Sequence, residues 1–117
     1  MSFIFDKKLR LLKSYEFNNL RGNSIKVENK EFYLIFKENV FDNSRIGLTV
    51  SKRIGNAVAR NRIKRIIRDY FRRNRSIISN NIDIIVIAKK YVAGKTNKEI
   101  FESLRKVFNK IDNGKNN

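Results

Sequence analysis

"GNAVARNRIKRIIRDYF", residues 55–71, holds five cations among the nine residues from Arg60 to Arg68, yet it is patterned as a folded helix. At roughly 100° per residue, Ile63, Ile66, Ile67, Tyr70 and Phe71 share one side and form a core-facing stripe. Asn61, Lys64, Arg65, Arg68 and Arg72 share a second side, with Arg60 at its border, while Arg62, Asp69 and Arg73 take the third. The cations therefore form a ridge beside the apolar flank. Asn56 follows Gly55 and is the candidate N-cap.

The flanking segments set the fold class. Before the helix, "RIGLTVS" (45–51) alternates, with Ile46, Leu48 and Val50 facing one way and Gly47, Thr49 and Ser51 the other; this is the period of a half-buried strand. The small set suits either a groove or a helix packed close. After the helix, "IDIIVIA" (82–88) is almost wholly apolar, which is the mark of a strand covered on both faces. Strand, helix and buried strand make a βαβ unit of an α/β sandwich.

Further out, "EFYLIFK" (31–37) reads as a strand with Phe32, Leu34 and Phe36 on one face, and a weaker strand is expected near 24–28. "SYEFNNL" (14–20) reads as a short helix capped by Ser14. "TNKEIFESLRKVFNKI" (96–111) opens with Thr96 and Glu99 in capping-box spacing. It then sets Ile100, Leu104, Val107, Phe108 and Ile111 on one stripe. The expectation is a two-layer α/β sandwich of about four strands and three helices, one domain over 1–117, with 112–117 frayed.

Composition limits the chemistry. The chain has 117 residues, of which 41% are hydrophobic and nine are phenylalanine, enough for one modest core. With no cysteine and no histidine, it has no disulfides, no thiolate metal site and no imidazole base. No run reaches the roughly 18 apolar residues of a membrane helix, and the charged N-terminus is unlike a secretory signal. A soluble, cytoplasmic protein is expected, with neither a membrane nor a small molecule as its partner.

Net charge is +16, and residues 52–75 carry ten cations against the single acid Asp69, so +9 lies in that window. Such crowding is costly unless a polyanion neutralises it, and nucleic acid is the leading candidate ahead of an anionic membrane surface. Lys64/Arg68 and Arg68/Arg72 repel at i,i+4 spacing. Arginine outnumbers lysine eight to two in the window, which favours bidentate phosphate contacts. Asn61, a poor helix former, can donate to phosphate or accept from a metal-bound water. A metal-dependent nuclease needs clustered carboxylates, whereas Asp69 stands alone on its helix and Asp83 lies next to a buried strand, so both read as structural. No heptad repeat follows the basic helix, so DNA binding of basic-zipper type is excluded.

"RIGLTVSKRIGNAVARNRIKRIIRDYFR" (45–72) closely resembles the signature of the protein component of bacterial ribonuclease P, around an arginine–asparagine–arginine core. The likeness extends more loosely through "LKSYEF", "EFYLIF" and "IDIIVIAKK". The resemblance implies a left-handed βαβ crossover, an exception to the usual right-handed rule. It also implies a large catalytic RNA as partner, with Mg²⁺ held by that RNA, and removal of 5′ leaders from precursor tRNA. It places Arg60, Asn61, Arg62, Lys64, Arg65 and Arg68 near the catalytic RNA, with Arg72 continuing their ridge. Phe17 matches a cleft aromatic, Lys52 and Arg53 basic residues leading into the motif, and Lys89 and Lys90 basic residues after the buried strand. The chain departs from the pattern at "FNNLRG", which offers Leu20 for a second aromatic, and at Ile35, where a cleft tyrosine is usual; Tyr33 lies on the same face. Tyr33, Ile35, Thr49, Ser51, Lys52 and Arg53 are thus the expected leader cleft together with Phe17. The rival expectation is a ribosomal-type RNA-packing protein without a catalytic partner.

Overall fold

The computed structural model describes residues 20, 24–74 and 81–115, with side chains described as far as Ile111. The helix expected over 14–20, Phe17 included, lies outside the described residues apart from Leu20. Four strands, β1 (Ile25–Glu28), β2 (Phe32–Glu38), β3 (Arg45–Thr49) and β4 (Ile82–Ala88), form one sheet in the order β1-β2-β4-β3. β1/β2 and β2/β4 are antiparallel, whereas β3/β4 is parallel. The described residues contain two long helices, α1 (Ala57–Asn74) and α2 (Asn97–Lys115), and two single 3-10 turns, Lys52–Ile54 and Lys90–Val92. α1 joins the parallel strands β3 and β4, as the flanking patterns require. α2 continues to Lys115, into the stretch expected to fray.

Both helices cover one face of the sheet. Phe32, Leu34 and Phe36 from β2, Ile46 from β3, and Ile84 and Val86 from β4 bury against Ile63, Ile67 and Phe71 of α1 and Ile100, Leu104, Val107 and Ile111 of α2. Tyr70 sits between the helices, its ring 5.0 Å from those of Phe101 and Phe108. Burial pushes its phenol above its ordinary value, opposed by nearby Arg105.

Local chemistry sets the helix starts. Asn56 Oδ1 accepts from Ala59 N at 2.9 Å, the expected cap of α1. Gly55 precedes it because a Cβ there would stand 3.0 Å from the Ala59 Cβ. Thr96 and Glu99 close the capping box of α2 reciprocally, at 2.9 and 3.1 Å. The Thr96 backbone N–H, and then the Thr96 hydroxyl, hold the Glu99 carboxyl below its ordinary value. Gly94, at φ 78°, supplies the left-handed turn that feeds this cap.

One anchor was not visible in the sequence. Asn29, in the β1–β2 turn, accepts from Glu31 N and Phe32 N at 3.1 and 2.8 Å. Its amide donates to Ser103 O and Oγ, both at 3.0 Å, which ties the hairpin to α2.

Asp83 is structural, as expected. Its carboxylate takes Arg45 Nε at 2.9 Å and Nη2 at 2.7 Å, with both side chains only 16% exposed, and Asn39 Nδ2 at 2.8 Å. Removing one partner of a pair so shielded leaves the other charge poorly solvated. Asp83→Ala is therefore expected to destabilise the fold by about 2 kcal/mol, seen as a lower urea midpoint at unchanged m-value. An unchanged midpoint would mean that the pair contributes nothing.

Candidate nucleic-acid interface

Two surfaces carry the candidate site. The first is the outer flank of α1. Asn61 and Arg65 are exposed and Lys64 and Arg68 half-buried, at positions that repeat along one side of the helix. Among the described residues, no carboxylate lies within ion-pair distance of Lys64 or Arg65. Arg60 Nε donates to Gly55 O at 3.2 Å, which fixes the start of its side chain beside the ridge.

Other cations of the motif are engaged by the fold. Arg62 turns away from the ridge, donating to Asn97 Oδ1 at 3.0 Å and Lys95 O at 2.7 Å, and so ties α1 to the start of α2. Its place on the third side of the helix anticipated that separation, but not the partner. Arg72 and Arg73 both donate to Asp69 Oδ1, at 2.6 and 3.1 Å. Arg72 therefore stands at the end of the ridge with its charge partly answered. Asp69 is a structural carboxylate, as its isolation in the sequence suggested.

The second surface is the sheet face opposite the helices. Alternation places Tyr33 and Ile35 there, and register brings Tyr33 beside Ile87 and Ile35 beside Ile85. Gly47 and Thr49 extend the same face, paired with Ile85 and Ile87. The small side of β3 thus faces away from α1 and α2, and Gly47 is buried on that side. Leu20 packs on Ile85 together with Ile35 and Ile87. Leu20, Lys26, Tyr33, Ile35, Ile87 and Lys89 line a shallow concavity of about 410 Å³. Its floor is apolar and its rim is cationic. Lys26 and Ile87 were not singled out in the sequence; only the strand register sets them beside Tyr33 and Ile35.

The remaining candidates gather at one end of the sheet. Ser51, Lys52 and Arg53 are exposed in the turn that leads to α1. Lys90 is exposed in the turn after β4, and that turn packs against the Lys52–Ile54 turn. Lys89 is less free than expected, because its ammonium pairs with Glu28 and donates to Asn29 O at 2.7 Å. The fold therefore brings Tyr33, Ile35, Thr49 and Lys89 together on the sheet, sets the α1 ridge apart as a second element, and leaves Arg62 in neither.

Among the described residues no three acidic side chains converge to hold a metal ion, and no helix is long and apolar enough to cross a membrane. Asn61 offers one neutral carbonyl among cations, a donor set that does not fit a protein-held Mg²⁺.

The comparisons with known proteins agree with this geometry. The family model described as Ribonuclease P matches residues 5–112. The chain is 48% identical over 110 residues to the ribonuclease P protein component of Desulforapulum autotrophicum, covering 94% of each protein. It is 41% identical to that of Halalkalibacterium halodurans, covering 89% of this chain and 88% of the relative. Among solved structures, the Staphylococcus aureus RNase P protein superposes with a TM-score of 0.81 at 37% identity, covering 86% of this chain and 93% of that one. The RNase P protein from Thermotoga maritima gives 0.79 at 30% identity, covering 87% and 96%. A mixed four-stranded sheet under two helices, a cationic flank on the crossover helix, and similarity along nearly the whole length place this chain in the ribonuclease P protein family.

Proposed function

We propose that this chain, as a ribonuclease P protein component working with the enzyme's RNA subunit in tRNA 5′ processing, divides its two surfaces between two RNAs. The α1 ridge, Asn61, Lys64, Arg65 and Arg68 with Arg60 beside it, binds the catalytic RNA near the cleavage region. The sheet face opposite α1 and α2, with Tyr33, Ile35 and Thr49 beside Lys26 and Lys89, receives the 5′ leader of precursor tRNA. Ser51, Lys52 and Arg53 extend that path, and Lys90 adds charge at its end. The chemistry belongs to the RNA and its Mg²⁺. A left-handed β3–α1–β4 crossover and a helix over 14–20 carrying Phe17 complete the family reading.

The observation that carries this proposal is the stripe on α1. Lys64 and Arg65 have no carboxylate partner among the described residues, and Lys64 repels Arg68 at i,i+4 spacing, as a phosphate-binding surface must tolerate. A leader is single-stranded and varies in sequence, so it is held by charge and sequence-tolerant stacking rather than base-edge readout. Tyr33 supplies a ring for this, and Ile35 and Ile87 supply apolar floor. The aliphatic Ile35 gives stacking less weight than backbone contact.

The test compares binding of precursor and mature tRNA to the catalytic RNA, with and without this protein, at low Mg²⁺. A leader-dependent gain of about 1–3 kcal/mol is expected, the usual size of a coupling between sites. Equal gains for the two tRNAs would refute leader recognition.

A further inference from the structure

Tyr91 lies outside both surfaces. It is 48% exposed, one of few large hydrophobic side chains presented to solvent among the described residues. It occupies the middle of the Lys90–Val92 turn, whose neighbour Val92 is fully buried. The ring is thus displayed from a rigid base: Val92 anchors the turn in the core, and Lys89 N bonds to Glu31 O at 2.8 Å. Two lysines from separate segments attend it. The Lys30 ammonium, from the β1–β2 turn, is 5.3 Å from the ring centroid, and the Lys90 ammonium is 5.2 Å away. The Lys52–Ile54 turn packs against the same segment, adding exposed Lys52 and Arg53 to this end of the sheet.

An exposed aromatic between cations has a specific use. A nucleotide presents a flat π-face and a phosphate a few ångströms apart, and a ring flanked by ammonium groups matches both parts. At 5.2–5.3 Å the lysines stand off from the ring, and their exposed stems allow them to move to an arriving phosphate. Among the described residues, neither Lys30 nor Lys90 forms an ion pair with a carboxylate. Lys89 is taken by Glu28, whereas Lys30 and Lys90 have the ring of Tyr91 as their partner.

We propose that Tyr91, with Lys30 and Lys90, is a stacking platform for one unpaired RNA nucleotide, a contact separate from the α1 ridge and the sheet concavity. The proposal rests on the RNA-binding reading above. It adds a base-dependent subsite where that reading has only charge at Lys90.

The test uses the full chain and two single-stranded RNA probes of equal length, an oligoadenylate and its abasic counterpart, which keeps the phosphates. Tyr91→Leu is expected to weaken oligoadenylate binding about tenfold and to leave abasic binding unchanged, while Tyr91→Phe binds as the parent does. Circular dichroism of each variant verifies that the fold is retained; this exposed position has little packing to lose. Equal binding of oligoadenylate by parent and Tyr91→Leu overturns the platform while leaving the RNA reading intact. Failure of the parent to bind either probe overturns the RNA reading itself. Equal weakening on both probes also overturns the platform, since the effect would then not depend on bases. Two further arms locate the nucleotide. Tyr91→Leu loses affinity for the catalytic RNA alone if the base belongs to that RNA, or the holoenzyme loses affinity for precursor tRNA if the base belongs to the substrate. No loss in either arm overturns the platform's use in the holoenzyme.

Discussion

Replacing Lys64 and Arg65 together by alanine is expected to lower affinity for the catalytic RNA by on the order of tenfold to a hundredfold, while thermal unfolding stays nearly unchanged. Each cation on a phosphate contributes about one unit to the slope of log K against log salt. The double variant should therefore flatten that slope by roughly two, and its deficit should shrink as salt rises. Alanine is also a better helix former than either residue, and the substitution relieves repulsion between neighbouring cations. The fold consequently loses nothing. An unaltered salt slope would mean that these side chains do not reach phosphate. Unfolding of the variant would place them in the core and defeat the ridge.

Ile67→Ala, two residues further along the same helix, should do the reverse. Ile67 is fully buried against the sheet, and truncating such a side chain costs about 2–5 kcal/mol through lost burial and the cavity left behind. Small domains have roughly 5–15 kcal/mol in total, and this one also bears the self-repulsion of its +16 charge. We expect the free variant to unfold at a much lower urea concentration. RNA or sulfate should recover part of the loss, because an anion that binds only the folded form stabilises it by mass action. The salt slope of RNA binding should remain that of the parent, since no phosphate contact is removed. A variant as stable as the parent would show that α1 does not rest on its isoleucines. These two outcomes would separate adjacent turns of one helix into a side that folds and a side that binds.

Much of this was legible without coordinates. The Ile63–Phe71 stripe and the alternation of 45–51 each have one periodicity that selects a backbone state, whereas the run 82–88 has none and reads as a strand by its length and its β-branched residues. The caps at Asn56 and Thr96 were equally plain, because they depend on residues three apart. The concavity was only half visible. Tyr33, Ile35 and Thr49 share a face by alternation, but Lys26 and Ile87 join them through the pairing of β1 with β2 and of β2 with β4. Register across strands is a long-range property, and it leaves no local trace when a strand such as β4 is apolar throughout.

The cations divide in the same way. Their number, their crowding and their position beside the apolar flank of α1 are facts of the chain, and from them followed a nucleic-acid partner. Which of them remain available was decided by folding. The start of α2 comes within reach of Arg62, Asp83 faces Arg45 across the parallel strands, and Glu28 meets Lys89. Lys30 and Lys90 meet at Tyr91 for the same reason. The sequence by itself determined the elements, the core and the sign of the partner, because periodicity and net charge are local or additive. Only the tertiary structure decided which charges are answered within the fold and which are left for RNA, because pairing depends on distances that the chain sets after it closes.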